Sequence, residues 1–356
     1  MADSAVTYPT TQEVDFVIVG SGAAGGVLAR ELSRSGFDIV VLEQGPYRKA
    51  GDFTHDELSV FFMNEMMGGI DGEHPQSFRA SETEDASVAG GLPPALYART
   101  VGGSSVHYSG NFWRFHPVDF KEHSLLGDLD GTGFADWPID YDELEPYYTR
   151  VDWEIGVSGT PGPFDPHRSR PYPMPPLPVK SSGVLFERGA KALDLHPQPA
   201  PKAILSEPFN GRSACMHCGF CLGFGCEMNA KSSSLATMIP EAEATGRCEI
   251  RSDSTVFRLQ TDDNGRIRKV LYFDKQGNEH GQRCKAAIVS ANGAETPRLL
   301  FLSESSRFPQ GLSNSSGLVG KYLMFNGHTV TNAVFEQQLN EYKSVQCTRV
   351  VFDFYA

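Results

Sequence analysis

Four of the seven cysteines fall in one short run, at Cys215, Cys218, Cys221 and Cys226, with the spacing C-x2-C-x2-C-x4-C. Closely spaced thiolates on a loop can wrap one soft metal centre, and Gly219, Gly223 and Gly225 free the backbone to do so. The spacing is near the bacterial ferredoxin run but not equal to it. Such crowding also differs from a disulfide framework, whose cysteines are spread along a small secreted chain. Two readings stay open at this point: an iron–sulfur centre, or a structural zinc knuckle with His217 as a possible ligand. Cys248, Cys284 and Cys347 lie in strand-like segments and are expected to be buried packing residues.

A second constellation is Gly20-Ser21-Gly22-Ala23-Ala24-Gly25. Its first glycine permits a tight turn, its second lets backbone amides approach a pyrophosphate, and its third lets helix and strand pack closely. The helix that follows would face the phosphates with its partial positive charge. Glu43 stands where a carboxylate could accept hydrogen bonds from a ribose diol. Strand, helix, second strand and acid together predict dinucleotide binding, without separating NAD from FAD. Gly102-Gly103-Ser104-Ser105, with His107 just beyond, offers amides and hydroxyls to a phosphate or a flavin edge. Ser290 to Leu300, containing Gly293 and Thr296, reads as a strand turning into a helix with Pro297 near its first turn.

Positioning these residues requires a βαβ unit. Val14–Val19 is an apolar, β-branched run of the kind found in buried parallel strands. A helix is predicted from Gly22 to about Ser35 and a second strand over 37–42. Residues 50 to 95 read as loops with short helices. A helix follows within 137–157, capped by Asp140 or Asp142. Residues 159 to 180 are dense in proline and must run extended, whereas 181–193 and 231–244 read as helices. Strands are expected at 248–250, 256–261, 270–273 and 286–291, and a helix at 296–302. The class is α/β, or α+β overall, with a Rossmann-like domain over 13–115 and 215–310, carrying the cysteine loop. Residues 116–214 and 311–356 supply insertions and the start of a discontinuous second domain.

Composition narrows the function. Hydrophobic residues make up 40% and charged residues 21%, the balance of an ordinary globular chain. With 31 basic and 44 acidic residues, the net charge of −13 leaves no basic stripe for nucleic acid. No apolar run approaches the ~20 residues of a membrane-spanning helix. Residues 1–12 are polar, without a basic n-region or a twin-arginine pair, so the expectation is a chain carrying no export signal of its own, exported if at all with a partner.

Taken in order, Gly20-x-Gly22-x-x-Gly25, Glu43, Gly102-Gly103-Ser104-Ser105 and Ala291-x-Gly293-x-x-Thr296-Pro297 resemble the glucose–methanol–choline (GMC) family of flavoproteins. Val101 to Phe120, Asp136-Trp137-Pro138-Ile139 and the run from Tyr141 to Tyr148 resemble the bacterial dye-linked sugar dehydrogenase large subunits. The resemblance runs from about Val14 to Asn326. It implies FAD in the fingerprint and oxidation of a CH–OH group on a sugar, glycoside, sugar acid or polyol. It also implies a three-iron cluster rather than a four-iron one, with Cys221 and Cys226 as ligands and Cys215 or Cys218 as the third. A small subunit and a cytochrome c or quinone acceptor are the implied partners. His107 would either join the flavin covalently or hydrogen-bond near its ring. The family's catalytic His–His or His–Asn pair lies in a later segment, so the base is expected beyond Ala356, and His328 is not assigned to it. Two other classes compete. A reductase using NAD(P)H should show a second glycine fingerprint, which does not appear, and a non-catalytic or zinc-stabilised electron-transfer protein would need only the flavin.

Overall fold

The fold was read from a computed structural model that describes residues 6–62, 67–68, 77–78, 83–88, 95–325, 327 and 329–355. Most of the expected 50–95 loop region, together with Asn326, His328 and Ala356, lies outside the described residues. The chain forms two compact units. The first comprises residues 1–107, 223–225 and 233–323, and the second 108–222, 226–232 and 324–356. Relative to the sequence expectation, residues 108–115 and all four clustered cysteines belong to the second unit, and 311–323 to the first. Local packing explains this. Cys221 is buried in an apolar cluster with Leu177, Ile204 and Val345, and Leu312 in the core that Val17 and Val19 line.

The first unit is built on a six-stranded sheet. Its strands are β1 (Val14–Val19), β2 (Ile39–Leu42), β3 (Cys248–Arg251), β4 (Thr255–Thr261), β5 (Ile267–Phe273) and β6 (Glu279–Val289), in the order β3-β2-β1-β6-β5-β4. The β3, β2, β1 and β6 pairings are parallel, and β6-β5 and β5-β4 are antiparallel. β6 therefore changes partner along its length: residues 279–283 pair with β5, and 284–289 with β1. The strand starts earlier than the expected 286–291, with a polar first half in which Gln282 is nonetheless fully buried.

Both faces of the central parallel strands are covered, which is why β2 and residues 16–19 of β1 read as continuous apolar runs. Val17, Val19, Val40 and Leu42 face one core with Leu259, Val270 and Leu299. Ile18, Ile39 and Val41 face the other with Ala29 and Ala242. Helix α1 (Ala23–Arg34) follows β1 and ends near Gly36, at φ 91°.

The second unit holds α2 (Tyr141–Ile155) and α3 (Ser181–Ala192). Asp140, not Asp142, caps α2: its side chain accepts from the Glu143 amide at 3.0 Å, and Glu143 reciprocates at 3.0 Å. Against the buried face of this helix, Arg114 reaches Glu145 at 3.1 Å and Asp152 at 2.6 Å. Residues 159–180 contain no helix or extended strand, as their prolines require. The predicted helix over 231–244 shrinks to α4 (Met238–Glu243). Its first half is not helical because Lys231, Ser232 and Ser234 direct their polar groups to other segments. The last helix, α5 (Asn292–Leu302), starts earlier than expected, because the Asn292 side chain accepts from the amides of Ala294 and Glu295 at 2.9 Å each.

Candidate dinucleotide site and cysteine loop

The fingerprint turn joins β1 to α1 entirely within the first unit. Gly20 adopts φ 91°, a left-handed conformation that suits glycine. A Cβ on Gly25 would stand 2.0 Å from the Gly20 carbonyl oxygen, so no side chain fits there. Gly22 is different: nothing lies within 4 Å of where its Cβ would be. Ala23 and Ala24 are exposed, and no side chain caps the start of α1. The helix thus opens on uncommitted amides with room in front of them, the arrangement that receives a phosphate anion.

Glu43 lies at the end of β2 and is buried. Its Oε2 accepts from the Ser21 amide at 3.0 Å and the Ser21 hydroxyl at 2.7 Å, and its Oε1 accepts from the Gly45 amide at 3.1 Å. Burial raises its pKa, while these hydrogen bonds oppose the rise. The sequence assigned Glu43 to a ribose diol. The structure gives it a second task that the sequence did not reveal, fixing Ser21 inside the turn.

The second glycine pair stands against the first turn. Gly102, at φ 95°, donates its amide to the Ser21 hydroxyl at 2.9 Å. A Cβ on Gly103 would come 2.9 Å from Gly22 Cα. Ser104 Oγ accepts from the Ala98 amide at 3.1 Å, and Ser105 Oγ donates to the Gly102 carbonyl at 2.6 Å. His107 is buried at the end of this segment, its carbonyl accepting from Gly223 at 2.7 Å. Gly45 supports the same loop, because a Cβ there would meet the Arg99 carbonyl carbon at 2.1 Å. Gly293 is exposed and Thr296 half-buried at the start of α5, where Glu295 accepts from Tyr97 at 2.8 Å. The structure therefore gathers Gly20 to Gly25, Glu43 and Gly102 to Ser105 at one end of the parallel strands. Gly26, Gly45 and Ser234 support them without having carried any motif signal.

The cysteine loop of the second unit is less converged. Among the described residues, no three His, Cys, Asp or Glu side chains come together as a metal-holding group. The expected ligand set Cys215, Cys218, Cys221 and Cys226 is thus not assembled: Cys218 is exposed while Cys221 is buried. Burial pushes the Cys221 thiol up to about 11, with Cys215, Cys218 and Cys226 adding to the rise and Lys231 opposing it. The four sulfurs feel one another without sharing a centre.

What holds the loop is main chain and strap. Lys231 donates to the carbonyls of Cys221 at 2.5 Å and Tyr108 at 2.7 Å. Residues 342–346 form a strap against the loop. The Ser344 amide donates to the His217 carbonyl at 2.9 Å, Gln346 Nε2 to the Gly219 carbonyl at 3.3 Å, and Val345 packs into the cluster of Cys221. Lys202 binds this strap at the Gln346 carbonyl and reaches Asn111. No spacing rule pointed to either lysine. Cys248 and Cys284 are buried packing residues as expected, but Cys347 is exposed, because the chain turns there at φ 52° instead of continuing as a strand.

Comparison with known proteins agrees with this geometry. Residues 184–324 match the family described as GMC oxidoreductase, and residues 18–54 match an NAD(P)-binding Rossmann-like domain. The 2-methyl-1,2-propanediol dehydrogenase of Mycolicibacterium austroafricanum is 34% identical over 88% of this chain and 55% of its own length. The fructose dehydrogenase large subunit of Gluconobacter japonicus is 31% identical over 88% of this chain and 58% of its own. The chain thus spans little more than half of either relative. The solved structure of pyridoxine 4-oxidase from Mesorbium loti superposes with a TM-score of 0.52 at 20% identity, covering 81% of this chain and 51% of that one.

Proposed function

Because this chain belongs to the GMC oxidoreductase family, we propose that it is the FAD-binding part of a dehydrogenase that oxidises a CH–OH group of a sugar, glycoside, sugar acid or polyol. The observation that carries the proposal is the open start of α1, where Gly22 leaves empty space and no capping side chain competes for the amides. These residues fit FAD. The amides from Gly22 to Gly25 would bind the pyrophosphate, Glu43 would take the ribose side, and Gly102 to Ser105 would support the rest of the cofactor. When bound, FAD supplies a hydride acceptor. The protein's part is to hold it with backbone amides on a turn where Gly20 and Gly25 have no room for a side chain and Gly22 keeps open space for the ligand.

The names of the relatives support the substrate class: one is a diol dehydrogenase and another a fructose dehydrogenase large subunit. The latter name also supports work alongside another subunit. The iron–sulfur part of the reading is supported by cysteine spacing and by the loop's buried lysines. The ligand geometry does not add to it, so no electron path is drawn through the loop. A runner-up is a flavin oxidase without any cluster, favoured by the unconverged sulfurs and by the oxidase among the structural neighbours.

The test is an anaerobic visible spectrum of the protein before and after a panel of sugars and polyols. Flavin bands bleached by a polyhydroxylated substrate support the dehydrogenase, and an added broad shoulder with bound iron supports the cluster. A folded protein that takes up no FAD defeats the reading.

A further inference from the structure

Ser234, six residues beyond Met228 and outside every motif, is 5% exposed and sits where the two glycine turns meet. Its hydroxyl lies 2.9 Å from the Ser21 carbonyl and 3.1 Å from the Gly102 carbonyl, and can donate to either. Its amide donates to Ser105 Oγ at 3.0 Å, and the two serine oxygens are 3.3 Å apart. Ser105 in turn donates to Gly102, and the Gly102 amide returns to Ser21. The ring closes through three segments that are far apart in sequence. There is no slack beneath it, because a Cβ on Gly26 would stand 2.6 Å from Ser234 Cβ, so α1 presses on the same serine.

We infer that Ser234 is a positioning residue for the cofactor, clamping the Gly20–Gly25 turn and the Gly102–Ser105 loop into one preformed surface. The inference rests on the FAD reading above. Gly20 and Gly102 both hold left-handed conformations, and glycine has the largest backbone freedom to lose. A turn ordered before binding charges none of that entropy to the ligand; a loose one subtracts it from the affinity. Ser234 touches neither ribose nor phosphate in this account. It acts through Ser21, Gly102 and Ser105.

The experiment compares FAD dissociation, followed by flavin fluorescence, in the full chain, in Ser234→Ala and in Ser303→Ala. Ser303 is a matched control. It is buried in the same unit, donates to the Leu299 carbonyl at 2.6 Å and accepts from the Leu259 amide at 2.9 Å, and takes no part in the ring. Both variants should melt earlier than wild type. Only Ser234→Ala should bind FAD about tenfold more weakly, while Ser303→Ala stays within about twofold. Unchanged affinity in Ser234→Ala, or an equal loss in both variants, overturns the inference. If Ser234→Ala does not fold, Ser234→Cys, which weakens the same donor without emptying the site, is compared with Ser303→Cys and read the same way. A wild-type chain that folds but binds no FAD defeats the FAD reading and the inference with it, a result visible in the wild-type arm alone.

Discussion

The glycine turns of the first unit and the cysteine loop of the second are both candidate ligand sites written in short motifs, yet they are finished to different degrees. The turns would bind through backbone amides, and their shape is fixed by contacts the protein makes with itself: Gly25 against Gly20, Gly103 against Gly22, Glu43 on Ser21. The loop would bind through side-chain sulfurs, and these repel one another once ionised. Burial already holds the Cys215 and Cys221 thiols in the neutral form. A donor set of that kind gains its geometry from the cation that deprotonates it. Sites made of main chain are complete with the fold, whereas sites made of thiols are completed by their cargo.

The sharpest way to break this contrast is Gly25→Val. Its Cβ would collide with backbone, so the variant should lose more than ~4 kcal/mol and all FAD binding, read by thermal unfolding and flavin absorbance. If it folds and binds, the turn is not self-fixed. Cys221→Ser tests the other side. Under the iron–sulfur reading it should remove bound iron, measured by elemental analysis, and leave the flavin bands in place. Lys231→Met should cost about 2 kcal/mol in a denaturant titration, since the carbonyls of Cys221 and Tyr108 lose a charged donor.

A smaller effect concerns Lys202, whose ammonium is held at about 8 by burial. The unfolded chain has this lysine near 10.4. Between those values the unfolded state binds more protons, so the penalty, full below pH 8, is relieved as pH rises toward 10.4. The unfolding midpoint of Lys202→Met, relative to wild type, should therefore fall steadily between pH 8 and 10; a constant difference would refute the assignment. The smallest structural effect is expected from Gly22→Ala, whose methyl meets nothing within 4 Å. Stability should change by less than ~0.5 kcal/mol while FAD affinity, measured by titration, drops. That separation would show Gly22 to be reserved for a ligand.

Legibility in the sequence follows the same division. The βαβ unit was readable because residues 16–19 and Ile39–Leu42 are apolar on both faces and the glycines mark the turn between them. The double role of Glu43 was not, since nothing in a residue type says that its carboxylate will meet Ser21. The late start of the 231–244 helix was hidden as well: Ser232 and Ser234 are tolerable in a helix until distant carbonyls claim them. The first half of β6 went unseen because Glu279 to Arg283 is polar, and its pairing is set by β5 rather than by its own pattern. Cys347 was misjudged for a related reason, a local turn overriding a strand-like composition.

The partner exchange along β6 also sets a timetable. β1 pairs with β2 at once but finds its other parallel neighbour, β6, only about 270 residues later, the same span that separates Asp15 from its ion-pair partner Lys285. At roughly 5–20 residues per second, a ribosome takes on the order of 15–50 s to supply that neighbour. Until then β1 and β2 offer an unpaired apolar edge to the cell, a template for wrong pairing that a nascent-chain chaperone would have to shield. The first motif to be translated is therefore among the last to be built.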